Sequence, residues 1–512
     1  MSSDRLDPRG ADDPLDHGIG DDRLPFPREE LRGRTVRGLV LNALFTGATE
    51  GLVLVQGLIV SILLGPEAIG LYGIVTATAM TIVALKRVGI DEAFVQQSEA
   101  GQEAEFQRAF SLELVVSAAF SLAIAVAAPI VALVYDESEL LPLTLAAAYM
   151  PIAFALQAPT WIFFRRMDFL RQRLLMAVGP VITFAVTITL AATGVGVWSL
   201  VIGPAVGNAA AAGAAIAISP YRIGIRLERA AARRYFSFSW PIFVSSAAML
   251  VLLQGQLIAF DVWGGIVAVG HITLAYTLTR YADRADHVVA STIYPAICAV
   301  GDRIDTLEEL FEKSNRAAML WSVPFCAGIV LFAPDLVEFV LGGDEWEPAV
   351  VLLQGLAVAT ALQQLGFNWF SFYRARGQPR PQAVEAAVMA AAFMALAVPG
   401  LALWGATGFV VGRSLVSVAM LLVRGHYVQR LLPGIRLWTL GLRGSMPVAA
   451  GAAAAVAVRL VLWGGERPLW QALLEIAVFL GVTALATRAL ERDLLREFTR
   501  YVRTGDLTPA AA

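Results

Sequence analysis

The sequence predicts an all-α polytopic membrane protein with about fourteen transmembrane helices. They form two six-helix lobes related by pseudo-symmetry, followed by two C-terminal helices. Three observations lead there. First, 57% of the residues are hydrophobic and only 16% are charged, where a soluble domain carries roughly 25% charge. Second, the apolar residues gather into runs long enough to cross a hydrocarbon layer about 30 Å thick. Third, the basic residues fall on alternate connections between those runs.

Residues 1–35 are polar and interrupted by Pro8, Pro14, Pro25 and Pro27. No apolar stretch opens the chain, so no cleavable signal is expected, and the segment reads as a disordered cytosolic tail. The apolar runs follow at 38–64, 68–85, 109–134, 141–164, 174–193, 196–219, 238–260, 265–298, 317–341, 348–372, 382–402, 406–423, 445–463 and 469–487. These divide into an N-lobe (36–220), a C-lobe (221–432), a final helix pair (433–488) and a cytosolic C-tail (489–512).

Topology follows from the positive-inside rule. With the N-terminus inside, the inner segments carry 34 of the 39 Lys and Arg residues. The outer turns hold Glu67, Asp136, Glu137, Glu139, Asp261, Asp344, Glu345, Glu347 and Glu466, with Arg467 as their one base. One helix more or fewer would invert part of the pattern and spoil the separation. Both termini are therefore expected in the cytosol, in a multi-pass protein of the cytoplasmic membrane. A net charge of −3 argues against a nucleic-acid binder, which needs a basic face. Connections of at most about 25 residues leave no room for a soluble catalytic domain. Cys298 and Cys326 sit in apolar surroundings, and no metal-ligand spacing is present.

The chain echoes itself. GPEAIGLYGI after Leu64 opens the second run, and GIVAVGHITL after Gly264 opens the eighth, so Gly65 and Gly70 map onto Gly265 and Gly270. A second echo pairs Gly194–Val201 with Gly405–Val411. Both are displaced by six spans, as expected of a transporter built from repeats.

Ionisable residues inside spans are costly and mark candidate functional sites. The eighth run carries Arg280, Asp283, Arg284, Asp286 and His287, with 280, 283, 284 and 287 on one helical face. Guanidinium groups there suit a diphosphate or an acidic sugar. At ~1.5 Å per residue, Arg280 lies about 22 Å and His287 about 33 Å from Gly265. That leaves two placements open, partway down a long helix or at the inner interface. Glu50 shares a face of the first run with Asn42 and Thr46, and is placed to pair with Arg280 or Arg284 across the lobes. Gln254 and Gln256 in the seventh run suit sugar hydroxyls or helix packing, and Arg413 lies within the twelfth. Glu113 and Glu385 read as structural, and Gln363, Gln364 and Asn368 as interhelical bonds. Pro180, Pro204 and Pro241 read as kinks. Arg165, Arg166, Arg171 and Arg173 form one inner basic loop, and Arg374, Arg376 and Arg380 another. They serve topology, or draw an anionic headgroup to an inner mouth.

The stretch LGPEAIGLYGIVTATAMTIVALKRVGIDEAFVQ, residues 64–96, resembles the second-helix signature of Wzx-type oligosaccharide and polysaccharide flippases. Their superfamily also holds multidrug extruders and the lipid II flippase. FFRRMDF at 163–169, GVGVWSLVIG at 194–203 and Ile293-Tyr294-Pro295 fit the same family, over roughly 36–432. The resemblance implies two lobes around a central cavity. It implies translocation of a polyprenyl-diphosphate-linked oligosaccharide between leaflets by alternating access, without cofactor or covalent chemistry. Membrane lipids would surround the protein, and a polysaccharide polymerase and glycosyltransferases would be its neighbours in the pathway. Two alternatives remain open: a drug or cation antiporter of the same superfamily, and a membrane glycan polymerase or glycosyltransferase. The arginines of the eighth run speak against the first, and the short outer turns against the second.

Overall fold

The computed structural model describes residues 28–496, apart from 87–89, 97–100, 167, 227, 463–466, 377, 379 and isolated positions between 285 and 302; the side chains of 28–44, 92, 93, 96 and 229–253 are also outside the description. Among the described residues there is no strand. Eleven helices are long and apolar enough to cross a membrane. Three of them bend into two legs, which gives fourteen spans in order.

Spans 1 and 2 form Arg28–Leu85, bent at Gly65 (φ 73°). The described helix opens at Arg28, inside the stretch 1–35 read as tail. Spans 3 to 6 are Gln102–Val134, Leu140–Arg165, Phe169–Ala192 and Gly196–Ala217. Span 7 opens the helix Arg229–Thr279, which bends at Gly265 (φ 70°) into span 8. Span 9 is Ile304–Val340 and span 10 Ala349–Ala375. Spans 11 and 12 form Arg380–Leu431, bent at Gly405 (φ 63°), and spans 13 and 14 are Leu437–Val461 and Leu469–Leu490. The three bends need a left-handed backbone, which glycine alone adopts at no steric cost.

The echo of Gly70 and Gly270 is a crossing of spans 2 and 8. A Cβ on Gly270 would lie 1.9 Å from the Pro66 carbonyl oxygen, and one on Gly70 would lie 2.2 Å from that of Ile266. The two backbones thus touch directly, each against the residue that follows the other's bend. Membrane helices gain nothing hydrophobic by leaving lipid for one another, so such close approach is what holds them together.

One apolar cluster runs through this crossing. It unites Ile69, Leu71 and Ile74 of span 2 with Val269, Ile272 and Leu278 of span 8, and reaches Trp346, Phe393 and Phe409. It occupies the half of the bundle that ends in the acidic turns. There His271 donates from Nε2 to the Glu345 carbonyl at 2.8 Å and meets Trp346 edge-on at 5.7 Å. Glu345 also lies over the Gly65 bend. The basic half is held by two separate clusters. One joins Phe94, Phe106 and Ile162 of the first repeat; the other joins Phe311, Trp369, Phe372 and Val428 of the second. Among the described side chains, then, the repeats share one apolar cluster at the acidic end and have separate ones at the basic end.

The runs 406–423 and 445–463 leave 424–444 as an inner connection between spans, and the structure makes that connection far shorter. Spans 12 and 13 are helical to Leu431 and from Leu437, and the loop is only 432–436. Arg424 is buried against Glu385. Lys86, also counted as an inner surface charge, is buried between Glu113 at 2.6 Å and Ser117 at 2.8 Å. Spans 13 and 14 dock on span 9 at both ends. Glu475, fully buried, accepts from Arg459 at 3.0 Å and from Arg467, which also reaches Asp335 at 2.6 Å. At the basic end Arg316 pairs with Glu491, and Arg443 with Glu312 at 3.5 Å.

Two predictions follow from this packing. Gly270→Ala forces the Pro66 carbonyl away, at a cost of about 1–3 kcal/mol, and spin labels on the acidic turns of the two repeats should move apart. Gly213→Ala, facing open space, should leave that distance unchanged. Glu475→Gln leaves two guanidinium groups half-compensated and should lower stability by about 3–5 kcal/mol. It reads out as a lower melting temperature of the purified protein, with spans 13 and 14 cleaved first by protease.

Candidate functional site

Below the glycine crossing the two repeats part, and side chains bridge the gap. Gln254 of span 7 donates to Thr78 of span 2 at 3.4 Å. Farther toward the basic end, Arg284 of span 8 meets Glu50 of span 1 at 2.8 Å. This is one of the two pairings the spacing allows; Arg280 is exposed instead. The pair is open to surroundings, with 40% of the Arg284 side chain and 25% of Glu50 exposed. Arg284 also lies over the Tyr281 ring, 5.7 Å from its centroid.

Span 8 changes pitch here. Arg280–Asp283 is a 3-10 turn, the tightening that often marks a functional irregularity within a long helix. It turns Asp283 into the second repeat, where Gln364 donates to it at 2.6 Å. Asp286 is half-buried, and its Oδ1 meets no hydrogen-bond partner. Gln256 is buried. His287, Cys298 and the side chains of Pro241 and Asn42 lie outside the described residues.

Span 10, read from sequence as one run, is broken. Its helix ends at Gln364, Gly366 takes φ 70°, and a new helix starts at Trp369. The freed carbonyls of Gln363 and Leu365 both accept from Nη1 of Arg424, the second at 3.2 Å. Arg413 faces the same break. A guanidinium has no acceptor atom, so the Gln363 amide turns its oxygen toward it. Oε1 then accepts from both Nη atoms at 3.2 and 3.3 Å and from Ser417 at 3.0 Å. Asn315, Asn368 and Ser314 close the space behind it in a chain of bonds at 2.9 and 2.6 Å.

Span 4 is broken at the corresponding place, between Leu156 and Thr160. Gln157 donates to Asn208 of span 6 at 3.3 Å. The sequence carries the signal in plain form: Leu156-Gln157 precedes the first break and Trp161 follows it, as Leu362-Gln363 and Trp369 flank the second. The backbone also fixes the register of the other echo. Gly203 packs against Thr187 of span 5 as Gly412 packs against Leu396 of span 11, which sets Gly196 (φ 68°) opposite Gly405 (φ 63°). Asn208 then matches Ser417. Interrupted helices at equivalent positions in two halves are the strongest structural pointer to a transport site.

At the basic end, Arg165 donates to the Phe94 carbonyl at 2.6 Å and lies over the Phe94 ring. Arg166 stacks on Tyr221 at 5.0 Å and Arg374 on Tyr294 at 5.4 Å. Arg376 is half-buried, and Arg171 pairs with Asp168 at 3.4 Å.

Solved structures share this architecture. The inward closed conformation of the lipid II flippase MurJ aligns with a TM-score of 0.69 at 12% identity, over 89% of this chain and 100% of that one. An inward-facing multidrug resistance transporter of the MATE family aligns at 0.63 and 16% identity, over 75% of this chain and 96% of that one. An outward-facing MATE transporter aligns at 0.50 and 17% identity, over 81% and 98%. No curated protein matches the sequence significantly. The profile described as polysaccharide biosynthesis protein matches residues 59–351, more than half of the chain. With the paired bends, paired breaks and fourteen spans, that match places this multi-pass membrane protein in the polysaccharide biosynthesis protein family.

Proposed function

We propose that the protein carries a polyprenyl-diphosphate-linked oligosaccharide from the inner to the outer leaflet of the cytoplasmic membrane by alternating access. The cargo serves synthesis of a surface polysaccharide, such as O-antigen, capsule or exopolysaccharide. The single observation that carries the reading is the Glu50–Arg284 pair, which bridges the two repeats below a backbone weld in a chain of this family. The basic face is the cytosolic one, by the positive-inside rule, and both termini lie there. The separate apolar clusters at that face leave the lobes, 36–220 and 221–432, free to part and admit a headgroup from the inside.

Each group then has a task. Arg165, Arg166, Arg374 and Arg376 draw the anionic headgroup to the mouth. A guanidinium stacked on a ring keeps its N–H edges open, so Arg166 and Arg374 can fork a phosphate while staying placed. Deeper in, the diphosphate competes with Glu50 for Arg284, and Arg280 takes the second phosphate. Releasing Glu50 removes an ion pair that ties span 1 to span 8 across the two lobes, which favours their rearrangement. Asp283 and Asp286 keep the face from being purely cationic and help return Arg284 to Glu50 once the cargo leaves. Gln254 and Gln256 offer amides to sugar hydroxyls. Binding and release suffice for this cycle; no bond of the cargo breaks.

Three outcomes are expected. Deleting the gene should strand lipid-linked oligosaccharide on the cytosolic leaflet and remove surface glycan; normal surface glycan with raised drug sensitivity would favour an antiporter instead. Arg284→Gln should cut transport about tenfold or more, the worth of a lost charged hydrogen bond. Glu50→Gln should loosen the inward state, seen as a redistribution of interspin distances. Full transport and unchanged distances in Glu50→Gln would remove the latch from the mechanism.

A further inference from the structure

The arginine at the break in span 10 has no structural task that the fold requires. The two breaks are built alike. In the first repeat, Gln157 at the break binds Asn208 at 3.3 Å; in the second, Gln363 binds Ser417 at 3.0 Å. Asn208 and Ser417 occupy equivalent places, since Val201-Ile202-Gly203 and Val410-Val411-Gly412 lead into both. The residue after the glycine differs: Pro204 in the first repeat, Arg413 in the second. The first break is therefore tied to span 6 by its glutamine amide, with no cation bonded to that amide among the described residues. The guanidinium is an addition to that frame.

Its surroundings are also distinctive. Glu50 answers Arg284, Glu385 answers Arg424, Glu113 answers Lys86, and Glu475 answers Arg459 and Arg467. Arg413, half-buried in the middle of a span, meets only the neutral oxygen of Gln363 among the described residues. A cation at such depth is costly unless a charge answers it. Its backbone is fixed as well. A Cβ on Gly412 would lie 2.5 Å from the Leu396 carbonyl, on the wide π turn Phe393–Ala397 of span 11. The fork is thus held in place rather than left to swing. Gln364, beside Gln363, bonds Asp283 next to Arg284, so the Arg413 site adjoins the span 8 site from within the second repeat.

A diphosphate diester carries one negative charge on each phosphate, and Arg280 and Arg284 answer both. Arg413 stands on a different helix and is left over. We propose that Arg413, braced by Gln363, binds a further anionic group on the glycan, so that the transported oligosaccharide is acidic. A sugar carboxylate suits it best, because its two oxygens match the two Nη donors that now share one amide oxygen. Gln363 holds the fork in the empty state and yields when the carboxylate arrives. This inference rests on the flippase reading for the identity of the cargo.

The test uses two probes of equal length on polyprenyl diphosphate, one bearing a glucuronate residue and one with glucose in its place. Equilibrium binding is measured on the full-length purified protein, and translocation in reconstituted vesicles. The wild type should bind the glucuronate probe about tenfold or more tightly than the neutral one, the worth of one charge-assisted pair. Arg413→Gln should erase that preference while keeping the affinity for the neutral probe. Arg413→Lys should retain part of it, since the charge survives and the fork does not. Equal binding of both probes by the wild type would overturn the inference, as would a loss of Arg413→Gln binding that is the same for both. A preference in binding without translocation of either probe would uphold the acidic site and overturn the flippase reading.

Discussion

The structure depends on a contact in which no side chain takes part. Gly70 and Gly270 bring spans 2 and 8 together backbone to backbone, each helix resting on the carbonyl just past the other's bend. In a membrane the lipid tails solvate an apolar side chain as well as a neighbouring helix does. Close approach of backbones therefore does work that hydrophobic burial does in water. It also fixes a fulcrum. Above it the bend glycines and the Asp344–Trp346 turn seal the acidic end. Below it, long polar side chains reach across from one repeat to the other. Gln254 spans to Thr78 at 3.4 Å and Glu50 to Arg284 at 2.8 Å. The polar site lies where it does because the glycines forced the lobes together elsewhere.

This explains which parts were legible in sequence. Gly65 and Gly265 echo visibly, since a left-handed bend and a crossing without side chains admit no substitute. The counts of basic residues gave the span number for an equally simple reason: charge at a helix end is a property of one loop. The breaks in spans 4 and 10 were not read, although Leu-Gln and Trp flank both. Apolar residues continue through Ala158-Pro159 and through Leu365-Gly366-Phe367, so hydropathy shows no gap. The second break is also longer, which blurs the alignment.

Partners across the bundle were harder still. Lys86 and Arg424 lie at the ends of apolar runs and look like surface anchors. Their burial is decided by Glu113 and Glu385, 27 and 39 positions away. Glu50 and Arg284 were matched from sequence because the repeat had already set their helices side by side. The choice between Arg280 and Arg284 was not, because it turns on a local 3-10 turn that rotates one of them out of reach.

Exposure separates the ion pairs that hold the molecule from the one suited to exchange. Glu475 is wholly buried and answers two arginines, so breaking it would leave charge in a low-dielectric interior. Arg424 and Glu385 are nearly as enclosed, and they also cap the open carbonyls of span 10. Such pairs are welds. Arg284 and Glu50 are 40% and 25% exposed, and each is attached to a different repeat. Partial solvation lowers the cost of separating them, and in the proposed cycle the arriving anion replaces the acid without an unpaired state. A machine that alternates between two packings needs a bond of this second kind at the place where its halves meet. In the proposed cycle the Glu50–Arg284 pair is that bond, and it lies well below the fulcrum, where rotation of the lobes opens the gap.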